Sequence, residues 1–292
     1  CQATPNRVQG GKHGQDSLLL GTSRRKLKKS FWERNPMRLV IKFGGTSLAT
    51  PKHIKGVAKF AQTIAKKNQV VMVCSAINDT TDELLEISES IKKENRKQAD
   101  SILSNLTKQH KQVAKDTISN SVIRKALFEK LDSILNELNG LMHGMILLGE
   151  VTPQSLDYMI SFGERLSVEI VSHAILDLKT KSIALTGKEV GIVTDSNFGQ
   201  SKPLMDTTRL RVSTNLEPLL SKKFIPVIGG FAGADQHGHI TTFGRGGSDY
   251  TATIIASCIR ADEVWLMSDI DRSWHSDNDE IRCRNLRWIR AY

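Results

Sequence analysis

From Met37 to about Asp271, short apolar runs alternate with segments whose apolar residues recur every three or four positions. "MRLVIKF" (Met37 to Phe43) and "QVVMVCS" (Gln69 to Ser75) are compact β-branched runs and predict buried strands. Between them, "PKHIKGVAKFAQTIAKK" puts Ile54, Val57, Ala58, Ala61, Ile64 and Ala65 at helical spacing, so the unit reads strand, helix, strand. From about Thr81 to Gly149 the period stays helical ("LLEISESI", "IRKALFEKLDSILNEL"), which predicts a long helical insertion at the edge of a sheet. Strand-like runs then return as "SIALT", "FIPVIGGF" and "EVWLMSDI", the last two separated by the helix-like "SDYTATIIASCIRA". Four or five buried strands joined by helices imply an α/β fold, a parallel sheet with helices on both faces. Ligands of such sheets bind at the carboxyl ends of the strands, where "GGTS", "SAINDTTD", "GGFAGAD" and "SDID" lie.

Composition narrows the class. At 292 residues, 39% hydrophobic and 25% charged, the chain is long enough for one large or two smaller globular domains. No run approaches the roughly 18–20 apolar residues of a membrane helix, and Leu18 to Leu20 is too short for a signal-peptide core, so no membrane partner is expected. Cys1, Cys74, Cys258 and Cys283 show neither a disulfide framework nor paired metal spacing, and a reducing cytoplasm is expected. The formal net charge of +10 suggests nucleic acid until it is located. Residues 1–36 hold eight Lys/Arg against two Asp/Glu and residues 272–292 five against three, so the segment between is nearly balanced. "SRRKLKKS" (Ser23 to Ser30) fits a nucleic-acid arm, an organellar transit segment, or a disordered tail or upstream sequence ahead of Met37. The tail is the simplest of the three, and no nucleic-acid partner is expected.

Three stretches carry candidate chemistry. "VIKFGGTSL" (Val40 to Leu48) puts a lysine in a strand-like run and follows it with two glycines. Either a tight turn needs glycine's freedom, or an anion approaches bare N–H groups beside Lys42. In "TTFGRGGSDYTATII" (Thr241 to Ile255), Gly244, Gly246 and Gly247 bracket Arg245 just before a helix that Ser248 could cap, which suits an anion; the plain alternative is a glycine-rich loop with an exposed arginine. In "SFGERLS" (Ser161 to Ser167), Glu164 and Arg165 stand near a helix start, where a surface ion pair is the default for such charges. No GxxxxGK[ST] or GxGxxG occurs.

"KFGGTS", "SAINDTTDEL", "SFGERLS", "GRGGSDYTA" and "LMSDID" occur in the order and spacing of aspartate kinases, which the segment Met37 to Asp271 resembles. The resemblance implies an amino-acid-kinase-like three-layer sandwich, with a mainly parallel central sheet and the insertion at 81–149 in the substrate lobe. It implies transfer of the ATP γ-phosphoryl group, with Mg2+ carried by ATP rather than by protein ligands, to the side-chain carboxylate of L-aspartate. That reaction would be the first step of lysine, threonine and methionine biosynthesis. Carried onto this sequence, Lys42, Phe43, Gly44 and Gly45 would hold the phosphates, and Ser268, Asp269 and Trp274 the nucleoside. Glu164 would meet the substrate ammonium and Arg245 a substrate carboxylate, with Thr46, Ser47, Thr81 and Ser248 nearby, while Asp249 would organise the phosphate-binding lysine. A homo-oligomer is also implied, in the cytoplasm, or in an organelle if residues 1–36 are a transit segment.

The end of the chain departs from that pattern. After "SDID" the resembled family continues with a glycine and an "ADP"-like turn, whereas Arg272, Ser273, His275, Ser276 and Asn278 stand here. Lys223 is the last lysine, so a later phosphate-neutralising lysine is missing, and the family's ACT domains are not in this sequence. Residues 272–292 are therefore expected to be an atypical, poorly ordered, truncated nucleotide end. The alternative reading of the whole is a catalytically impaired kinase-fold protein that binds ligands or partners, or a superfamily member acting on a different carboxylate.

Overall fold

A computed structural model describes residues 36–270 and the strand Cys283–Arg290, with side chains through Met267. Strand β1 (Arg38–Phe43) leads through a 3-10 helix (Gly45–Leu48) into α1 (Pro51–Ala65), followed by β2 (Gln69–Cys74). The insertion is three helices, α2 (Thr80–Lys92), α3 (Arg96–Thr117) and α4 (Ser121–Leu148). Next come α5 (Pro153–Ile160), α6 (Phe162–Asp177), β3 (Ser182–Leu185), α7 (Gly187–Val190) and α8 (Met205–Ser221). The chain then forms β4 (Ile225–Gly229), β5 (Ala232–Ala234), β6 (Ile240–Thr242), α9 (Gly247–Ile259), β7 (Glu263–Ile270) and β8 (Cys283–Arg290).

The main sheet runs β3-β4-β2-β1-β7-β8. Its first five strands are parallel, and β8 joins β7 antiparallel. Successive side chains of a strand point to opposite faces, and β1 is divided in this way between two helical layers. Val40 packs in the core formed with α8 and α9, where Val212, Leu216, Ala252 and Ile255 are buried. Phe43, of the other parity, meets Phe60 of α1 edge-on with ring centres 6.2 Å apart. Lys42 shares the parity of Val40 and so points toward α9. The helices begin where local chemistry lets them. Thr50 and Thr152 each accept an N–H bond three residues on and precede a proline at the first helical position. Thr186 and Glu189 form a reciprocal capping box.

Two expectations need correction. The insertion does not sit at the sheet's edge: α4 packs along α6 and α3 along α1, so it thickens the outer helical layer. Residues 272–292 are not wholly without structure, because Cys283–Arg290 pairs with β7 from Glu263↔Arg290 to Ile270↔Cys283. The small antiparallel pair β5–β6 was not expected from the sequence. No described helix is long and apolar enough to cross a membrane.

Candidate active site

The carboxyl ends of β1, β2 and β4 meet the first turns of α6 and α9. At β1, the Lys42 Nζ lies 2.7 Å from an Asp249 carboxylate oxygen on α9. The contact is an ion pair without the direction of a hydrogen bond, since that oxygen has no hydrogen-bond partner. The lysine side chain is 14% exposed, close enough to the surface for an anion to reach it.

Of the two glycines after Lys42, Gly45 is explained by packing, and neither is required by turn geometry. Gly44 is extended at φ −76°, and neither it nor Gly45 has a positive φ. A Cβ on Gly45 would stand 2.9 Å from the Ala76 carbonyl oxygen and 3.4 Å from that of Asn78, main-chain atoms that cannot step aside. A Cβ on Gly44 would meet nothing nearer than 3.7 Å. The Gly44 N–H donates to the Met267 carbonyl at 3.2 Å, so of the two glycines only Gly45, opening the 3-10 helix, is placed to turn its N–H outward.

At β4, Gly229 and Gly230 let two helices close in. A Cβ on Gly229 would lie 3.4 Å from the Glu164 Cβ, and one on Gly230 2.6 Å from the Ser248 Oγ. Phe231, next along, takes φ +71° and donates its N–H to the Thr251 Oγ1 of α9 at 3.0 Å. A side-chain residue in the left-handed region is strained, and here the hydroxyl of α9 holds it. These three residues open the "GGFAGAD" that the sequence places at a ligand-facing strand end, although no role was given there to any one of them.

Glu164 is a buried carboxylate that is only half satisfied. It sits in the first turn of α6 and is 5% exposed, and one carboxylate oxygen accepts the Ala76 N–H at 3.3 Å while the other has no partner. Burial pushes its carboxyl up to about 8, against hydrogen bonds from its own N–H and that of Ala76. The default surface ion pair is therefore wrong for Glu164. Arg165 takes the pairing instead, with two hydrogen bonds to Glu137 of α4, at 2.5 and 3.1 Å. Glu164, Arg165 and Glu137 line one cavity of about 790 Å³, with Gly229, Gly230 and Lys188 on its other walls.

Arg245 is exposed, between Gly244 and Gly246, both at φ +75°, and forms no ion pair among the described residues. Ser248 does not cap α9: the N-cap is Gly246, no side chain bonds the helix start, and the serine lies in the first turn against Gly230. Thr46, in the 3-10 helix after β1, is exposed and Thr81, in the first turn of α2, is half-buried, whereas Ser47 is fully buried with an unpartnered hydroxyl. The Phe43 ring belongs to the core, leaving only its main chain for a ligand. Ser268 and Asp269 lie on β7, but their side chains, like all of Trp274, fall outside the described residues. No group of three or more His, Cys, Asp or Glu is arranged for a metal ion among the described residues.

A family model described as the amino acid kinase family matches residues 37–282. The chain belongs to that family. Among similar curated proteins, the chloroplastic aspartokinase 1 of Arabidopsis thaliana is 31% identical over 237 residues, 80% of this chain and 40% of that protein. The aspartokinase of Geobacillus stearothermophilus is 28% identical over 241 residues, 82% of this chain and 44% of that one. The chain thus spans less than half the length of these relatives. Escherichia coli aspartokinase III, solved in complex with aspartate and ADP, superposes with a TM-score of 0.71 at 23% identity, over 80% of this chain and 49% of that one. The expected amino-acid-kinase sandwich, with its parallel five-stranded core, is borne out.

Proposed function

We propose that this amino acid kinase family member phosphorylates the side-chain carboxylate of L-aspartate at the expense of ATP, with residues 37–271 as its catalytic domain and 81–149 in the acceptor lobe. One observation carries the reading: a buried, half-unpartnered carboxylate, Glu164 on the first turn of α6, and an ion-paired lysine, Lys42 of β1, both lie at the carboxyl end of one sheet, Glu164 against the loop after β2 and the end of β4. An anion and a cation are what an amino-acid ammonium and a phosphate chain require. The resemblance of the motifs, and the aspartokinases among the similar proteins, make aspartate the favoured acceptor.

The residues present fit phosphates. Lys42 supplies positive charge, and the first turn of α9 and the Gly45 N–H supply aligned dipoles. Bound ATP would supply the phosphoryl group, with a divalent cation on its phosphates. Asp249 keeps the Lys42 ammonium at the end of β1, so that its charge need not reorganise as charge shifts during transfer. Glu164 gives up its proton and takes the substrate ammonium, and Arg245 grips a carboxylate with its planar fork. The acceptor carboxylate is already ionised near neutral pH and needs no general base, so the protein's part is alignment and charge neutralisation.

A coupled assay of ADP release with and without L-aspartate tests the reading, with Arg245→Lys alongside. Aspartate-dependent turnover is expected, with the variant raising KM for aspartate at least about tenfold and far more than that for ATP. Aspartate binding without turnover would favour a ligand-binding protein, and equal KM effects would move Arg245 to the phosphates.

A further inference from the structure

The cavity beside Glu164 is lined by three carboxylates, Glu137, Glu164 and Glu189, and by the cations Arg165 and Lys188. The pairing is selective: Glu189 is taken up in the capping box of α7 and Lys188 donates to the Gly238 carbonyl. Arg165 is the residue next to Glu164 on the first turn of α6, yet its guanidinium is committed to Glu137 through both terminal nitrogens. Three further contacts hold it there. The Tyr158 hydroxyl donates to the same Glu137 carboxylate, and the guanidinium carbon lies 4.3 Å from the centre of the fully buried Phe162 ring and 5.8 Å from that of Tyr158. Meanwhile one Glu164 oxygen is the buried side-chain atom of the described cavity lining that has no hydrogen-bond partner. A guanidinium carries five donors and pairs bidentately with carboxylates. Consecutive helical side chains diverge, but both of these line the same cavity, so an Arg165 released from Glu137 has room to turn to Glu164 and occupy the place of an ammonium.

We propose that Glu137 is a positioning residue that holds the Arg165 guanidinium off Glu164, keeping the Glu164 carboxylate open to the substrate ammonium. The inference rests on the reading of Glu164 given above. It gives α4 of the insertion a task at the site: a carboxylate from the outer helical layer captures the one arginine that could block the acceptor pocket from within. Tyr158 and Phe162 make the capture geometric as well as electrostatic, one by bonding the carboxylate and the other by stacking under the guanidinium.

The test compares Glu137→Gln, Arg165→Met and the double variant by steady-state kinetics, and follows the stability of each ligand-free protein with pH. Glu137→Gln is expected to raise KM for aspartate at least about tenfold while kcat at saturation and KM for ATP stay within about twofold. The double variant should recover most of the aspartate KM, because the intruding cation is gone. A double variant as impaired as Glu137→Gln would show that Glu137 serves only the fold and would overturn the proposal, as would an unchanged aspartate KM in Glu137→Gln. The ligand-free measurement separates this from failure of the aspartate reading itself. Once Arg165 pairs with Glu164, the loss of stability that Glu164 causes as pH rises should shrink in Glu137→Gln and return in the double variant, whatever the substrate. No change in that profile overturns the proposal independently of turnover.

Discussion

Replacing Glu164 with glutamine isolates the cost of keeping an unpaired carboxylate in the interior. Its carboxyl is raised from 4.5 to about 8 in the folded protein, chiefly by burial. A group raised on folding holds its proton in the native state when the unfolded chain has already lost it. The stability it contributes is thus complete below about pH 4.5 and drains away as pH rises toward 8. Each unit is worth about 1.36 kcal/mol, so between about pH 5 and pH 7.5 the wild type should lose roughly 3 kcal/mol that a non-titrating glutamine keeps. In a domain of this size that corresponds to about 6–12 °C in Tm. Thermal unfolding of ligand-free wild type and Glu164→Gln across that range is the assay, and the difference should move toward the variant as pH rises. The same group predicts close to one proton released per aspartate bound near pH 7, measurable by calorimetry in buffers of different ionisation enthalpy. A pH-independent difference, with no proton release on binding, would refute the account of Glu164 as a buried acid that ionises for its ligand.

Lys42→Ala should keep the fold and lower turnover by about 10²–10³, because the lysine faces the site rather than the core; wild-type turnover in the coupled assay would reject its placement. Gly45→Ala should destabilise by about 1–3 kcal/mol through its 2.9 Å approach to the Ala76 carbonyl, whereas Gly44→Ala should cost far less, a contrast read by chemical denaturation. His110, 3% exposed on α3 with its Nε2 unpartnered, is held below the usual histidine range by burial, against a hydrogen bond with the Leu106 carbonyl. The stability it contributes is full above its unfolded value near 6.5 and is lost as pH falls below it, so His110→Leu should flatten the acid side of the unfolding profile.

The strands and most helices were legible because their signals are local and strong. Leu39, Ile41 and Val70 to Val73 form unbroken apolar runs, and the α1 residues fall at a helical period. The pair β5–β6 was not legible, since two three-residue strands are too short to display an alternation. Glu164 shows the limit at the site. Nothing in "SFGERLS" says which of two adjacent charges will be buried and which will find an ion pair, because that depends on Glu137, 28 residues away on another helix. Ser248 looked like a helix cap because serine before a helix usually is one, but Gly246 in the left-handed region begins α9 two residues earlier. Phe43 and Ser47 followed from the motif, and strand parity and burial turn their side chains away from solvent.

The lysine and the glycines of "VIKFGGTSL" answer to different demands, and the structure keeps them apart. Strand parity alone sends Lys42 to the α9 side of the sheet, where Asp249 receives it. Gly45 must be small because the loop after β2 crosses over it at Ala76 and Asn78. That crossing also brings the Ala76 N–H to Glu164. One close approach therefore serves both ends of the site: it exposes main chain beside the lysine, and it fixes the loop whose N–H holds the buried acid. A side chain at position 45 would press on Ala76 and through it on Glu164, so the second glycine of a phosphate-side motif has its sharpest structural consequence on the acceptor side.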